Sequence, residues 1–61
     1  MDTNRQMYML KGIYPDGTDF VAKVICHSLM DAFILAQGAR KVTTLRSISV
    51  IDSEGDELAK F

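Results

Sequence analysis

Apolar and polar positions change period along this chain, and each change marks a boundary. From Met7 to Tyr14 the side chains fall into two rows, Tyr8, Leu10, Gly12 and Tyr14 against Met7, Met9, Lys11 and Ile13. A period of two is that of a pleated strand, and both rows are apolar enough to be covered. Asp19 to Cys26 alternates again, with Phe20, Ala22, Val24 and Cys26 on one side and Val21, Lys23, Ile25 and then His27 on the other. Its β-branched content favours a strand over a helix. Between the two runs stands Pro15-Asp16-Gly17. Proline presets the first turn dihedral, aspartate bonds to local backbone and glycine supplies positive φ, so the pair reads as a hairpin.

At Cys26-His27-Ser28-Leu29-Met30-Asp31 the period becomes helical. Ser28 is placed to cap a helix, and Asp31, three residues on, to complete a capping box. The spacing predicts a helix from Leu29 to about Gln37, with Gly38 taking the left-handed conformation just past its end. Arg40 and Lys41 then complement the negative end of the helix dipole. Wound at about 100° per residue, Leu29, Ala32, Phe33 and Ala36 share the stripe that packs on a sheet. Met30, Ile34 and Leu35 fall off that stripe, which is more apolar surface than one sheet face can cover.

Val42-Thr43-Thr44 leads into a third alternating run, Leu45 to Ile51, with Ile48 and Val50 pointing inward. A second turn cluster, Asp52-Ser53-Glu54-Gly55-Asp56, precedes a short fourth strand over Glu57 to Phe61. The pattern predicts an α+β fold: a three- or four-stranded antiparallel sheet with one helix packed on one face, in the order ββαβ or ββαββ. The third strand is expected beside the first, giving the spatial order two, one, three, with the fourth outside.

The chain of 61 residues is expected to form a single domain, with residues 1 to 5 a frayed terminus. A domain of this size buries only about 60% of the surface its unfolded chain exposes, so self-association or a partner is an expected source of further stability. The single cysteine, Cys26, excludes an internal disulfide and favours a reducing, cytoplasmic setting. No apolar run is long enough for a membrane span, and no leader pattern opens the chain. The net charge of −1 gives no global pull toward nucleic acid. Charge is nonetheless uneven: residues 1 to 46 carry six cations and four anions, and residues 47 to 61 carry Lys60 against Asp52, Glu54, Asp56 and Glu57.

Candidate chemistry is sparse, and neither catalytic residues, a cofactor site nor a metal site is expected. Cys26 and His27 are adjacent, but successive strand residues face opposite ways, so they do not make a thiolate and its base. Asp52, Glu54 and Asp56 share the one-three-five spacing of a calcium loop, yet Gly55 sits at the fourth position where an EF-hand needs glycine at the sixth, and no glutamate follows at the twelfth. Arg40, Lys41 and Arg46, with Lys11 or Lys23, form a candidate basic patch, and Tyr8, Tyr14 and Phe20 candidate stacking surfaces for single-stranded nucleic acid. The leading expectation is instead a non-enzymatic protein-binding module whose interface includes Met30, Ile34 and Leu35, working on a protein partner or as a homodimer.

Residues 26 to 36, Cys-His-Ser-Leu-Met-Asp-Ala-Phe-Ile-Leu-Ala, with Val42-Thr43 and the strand through Ile51, resemble small phage and prophage strand-helix-strand proteins, among them coliphage inhibitors of host RNA polymerase. The likeness covers about half the chain and lies in the capping and packing pattern, so no functional residue is carried over. It implies a regulator acting on a host protein. A small nucleic-acid-binding protein using Arg40, Lys41 and Arg46 is the competing class.

Overall fold

A computed structural model of the chain describes residues 5–61. The elements run β1 (Gln6–Ile13), β2 (Asp19–Cys26), α1 (Leu29–Val42), β3 (Ser47–Ile51) and β4 (Glu57–Lys60). They build a small α+β fold, a four-stranded antiparallel sheet in the order β2-β1-β3-β4 with α1 packed on one face. The expected strand order is therefore the observed one. Of the residues read as a frayed terminus, Arg5 is exposed and residues 1 to 4 lie outside the described residues.

The hairpin forms as Pro15-Asp16-Gly17 dictates. The Gly17 N–H donates to the Tyr14 carbonyl at 2.9 Å and the Tyr14 N–H to the Thr18 carbonyl at 2.8 Å. Gly17, at φ 92°, absorbs the left-handed step that closes a three-residue loop. Asp16 Oδ1 accepts from the Thr18 N–H at 3.0 Å and from its hydroxyl at 2.7 Å. These bonds hold the Asp16 carboxyl below its ordinary pKa.

The face of the sheet beneath α1 carries Ile48 and Val50, as expected, and one of the two rows of each hairpin strand. Tyr8, Leu10, Cys26, Ile48 and Val50 are buried there with Ala32 and Ala36 of the helix. Leu45 joins them from the loop before β3 rather than from the strand, which begins two residues later than expected. Gly12 is required at its place in β1 by close approach: a Cβ there would lie 2.7 Å from the Ser47 carbonyl oxygen and 2.9 Å from Leu45 Cδ1. The other row of β1 is not covered, contrary to expectation. Met7 and Ile13, with Val21 and Ile25 beside them on β2, are exposed on the face away from the helix. One helix has only one side of a sheet to cover.

Ser28 caps α1 as expected, its Oγ accepting from the Asp31 N–H at 3.2 Å. The far end differs. The helix runs through Gly38 to Val42, and the left-handed residue is Thr44, at φ 54°. Leu45 N–H donates to the Arg40 carbonyl at 3.0 Å and Thr44 N–H to the Lys41 carbonyl at 3.4 Å. That pair of bonds is a Schellman motif with threonine where glycine is usual. The motif works here because buried Leu45 anchors the chain just beyond it. Arg40 and Lys41 occupy the last helical turn, so the dipole argument for them holds at the shifted end.

Candidate functional site

The outward side of α1 is the feature of the molecule with the least structural explanation. Its inward stripe is Ala32, Ala36 and the half-buried Phe33 and Ala39. Leu29, assigned to that stripe from the sequence, lies at its margin and is 37% exposed. On the opposite side Met30 is 64% exposed, Ile34 62% and Leu35 45%. Continuation of the helix adds Val42, 84% exposed, which follows Met30, Ile34 and Gly38 at steps of four residues. Each i+4 step drifts about 40° round the axis, so these residues form an oblique apolar ridge with a gap at Gly38, in which Val42 stands about 120° round from Met30. Sequence reading missed Val42 because it ended the helix at Gln37. The step 30, 34, 38, 42 was the signal available.

The C-terminal segment does not fold over this ridge. Phe61 packs instead against Phe33 on the flank, ring centroids 5.6 Å apart and edge to face. Beside the ridge, where α1 meets the end of β2, a shallow depression is lined by Ile25, Cys26, His27, Asp31, Ile34 and Leu35. It joins the apolar edge of the helix to the exposed end of the sheet. Cys26 is buried at its base, and burial pushes the thiol above its ordinary pKa, with the negative charge of Asp31 adding to the effect. Such a thiol is a packing residue. His27 is exposed and Cys26 buried, so the strand geometry separates them as its alternation requires.

The basic candidates divide. Arg40 and Arg46 approach each other where α1 ends, the Arg40 Nη2 donating to the Arg46 carbonyl at 3.4 Å. Lys41 is exposed on the same last turn. The stacking surfaces proposed to accompany them are largely spent: Tyr8 is buried and donates its hydroxyl to Gln6 Oε1 at 2.8 Å, and Tyr14 and Phe20 are half-buried against each other, centroids 6.0 Å apart. Lys11 and Lys23 project from the strand row opposite the helix.

The acidic turn is explained locally. Asp52 Oδ1 accepts from the N–H groups of Glu54 and Asp56, both at 2.9 Å, which uses the carboxylate to shape the loop. Among the described residues no group of three histidine, cysteine or acidic side chains is placed to hold a metal ion. No helix among them is long and apolar enough to cross a membrane. Compared with protein-family models, with curated proteins and with solved structures, the chain has no match.

Proposed function

We propose that the protein is a non-enzymatic protein-binding module that docks a partner on the outward ridge of α1, through Met30, Ile34 and Leu35. One observation carries the reading: a helix that packs on the sheet through alanines turns its large aliphatic side chains to solvent. Contiguous exposed apolar surface of this kind marks interaction sites. An apolar ridge at i, i+4 spacing is the form in which helices enter grooves on other proteins. The adjoining depression, with His27 and Asp31 at its rim, offers polar groups to orient what binds. Action on a host protein as a phage or prophage regulator is the finer form of this proposal, supported by the likeness of residues 26 to 36 to small phage proteins.

The test compares wild type with the double variant Ile34→Glu/Leu35→Glu as bait in a lysate, with bound proteins identified by mass spectrometry. A protein retained by wild type and lost by the variant, with unchanged circular dichroism, is the expected result. Tight, saturable binding of single-stranded oligonucleotides near physiological salt, abolished by charge reversal at Arg40, Lys41 and Arg46, would replace this reading with the nucleic-acid one.

A further inference from the structure

The two edges of the sheet are unlike. β4 is four residues long, and the register of its pairing with β3 shifts between Val50 and Ile51. Short strands and bulges are the usual protections of an edge. β2 is eight residues long, pairs in unbroken register with β1 and contains no proline. Among the described residues nothing pairs with its outer side.

Which backbone groups face outward follows from the hairpin. The bond from Tyr14 N–H to the Thr18 carbonyl fixes those two residues as a hydrogen-bonded pair. In an antiparallel ladder such pairs alternate, so Gly12–Phe20, Leu10–Ala22 and Tyr8–Val24 are the bonded pairs inside the hairpin. The main-chain groups of Asp19, Val21, Lys23 and Ile25 therefore point away from β1. The bond from Arg46 N–H to the Ile13 carbonyl at 2.7 Å agrees, since it turns the odd-numbered groups of β1 toward β3.

We propose that the occupant of this edge is a second copy of the chain, paired antiparallel through β2 about a twofold axis at Val21. Across such a seam each residue with outward groups must face another residue with outward groups, which leaves few registers. A register centred on Lys23 sets that lysine against its own copy. One centred on Ala22 opposes Lys23 to Val21 and Asp19 to Ile25, with no charge directly matched. The register centred on Val21 opposes Asp19 to Lys23 of the second copy, and Lys23 to its Asp19. It also sets Val21, 58% exposed, on itself. Charge and apolar surface are thus both self-complementary in one register.

This inference goes beyond the helix-ridge reading and stands apart from it. In the Val21 register each Ile25 faces the Gly17 turn of the second copy, and the two Ile25 residues lie eight positions apart along the seam, about 26 Å, so the depressions beside the helices stay separate.

Sedimentation equilibrium over a range of concentrations tests the proposal. Wild type is expected to show a reversible monomer–dimer equilibrium. Val21→Pro removes an outward donor and no bond to β1, so it should give a monomer with native circular dichroism. Asp19→Lys and Lys23→Asp should each weaken the dimer about tenfold by opposing like charges at two symmetric places. The combined Asp19→Lys/Lys23→Asp chain should regain wild-type affinity, a rescue that does not depend on how Val21→Pro folds. Wild type that is monomeric at every concentration, or a combined variant no tighter than the single ones, would overturn the proposal. Dissociation by Ile34→Glu/Leu35→Glu with no effect of Val21→Pro would overturn it as well, and would place the self-contact on the helix. A monomeric wild type whose ridge variant still loses its partner leaves the ridge reading standing alone.

Discussion

Gly38→Ala tests whether α1 truly runs to Val42, and with it whether the apolar ridge is one surface. Gly38 lies inside the helix, exposed, at negative φ, and a Cβ built there meets nothing within 4 Å. Alanine in that setting costs no packing and removes the excess freedom of glycine in the unfolded chain, a gain of about 0.8–1.0 kcal/mol. With an unfolding entropy of about 2.1 cal/mol/K per residue, a chain of this length should melt about 7 °C higher. Gly17→Ala is the internal comparison, because that site is equally open but sits at φ 92°. It should lose about 1 kcal/mol to left-handed strain alone. Thermal unfolding followed by far-ultraviolet circular dichroism reads both. If Gly38 instead ended the helix in the left-handed conformation, its alanine variant would fall in melting temperature as Gly17→Ala does. That outcome would shorten α1 and detach Val42 from the ridge.

Thr44→Gly should raise stability by roughly 0.5–1 kcal/mol, the left-handed strain of a β-branched residue being larger than the extra entropy glycine loses on folding. A loss in urea titration would mean that the Schellman turn before Leu45 is not formed. Gly12→Ala should cost about 1–3 kcal/mol, because its Cβ would meet the Ser47 carbonyl oxygen at 2.7 Å, and that oxygen belongs to a strand paired with β1. An unchanged urea midpoint would show that β1 and β3 have room to separate.

The strands and their order were legible because each alternating run ended at a strong punctuator, Pro15-Asp16-Gly17 at one place and Ser28 at another. The end of the helix was not, because the deciding interaction is tertiary. Leu45 is buried from the loop and sets the chain reversal at Thr44, so Gly38, the residue with the better local propensity for the role, is left inside the helix. The same non-local pull explains why β3 starts at Ser47 while Leu45 still reaches the core. Met30, Ile34 and Leu35 were recognisable as surplus from helical spacing alone. Val42 was hidden by the misplaced boundary, and although the expected strand order already made β2 an edge, which of its main-chain groups face outward is fixed only by the Tyr14–Thr18 bond of the hairpin.

The distribution of side-chain size across α1 is the strongest argument that its exposed surface has a use. The inward stripe has Ala32 and Ala36, both fully buried, while isoleucine, leucine, methionine and valine stand outward. Burying a large aliphatic side chain is worth about 1.5–3 kcal/mol, and a helix serving stability alone would gain by the reverse arrangement. Alanines against the sheet let the helix axis approach the strands closely, which fixes its position through Leu10, Ile48 and Val50, all fully buried. The outward residues lie outside that buried cluster. Their replacement by polar groups should therefore leave folding intact, and it is this separation of fold from surface that lets a loss of binding in the ridge variant be read as loss of an interface.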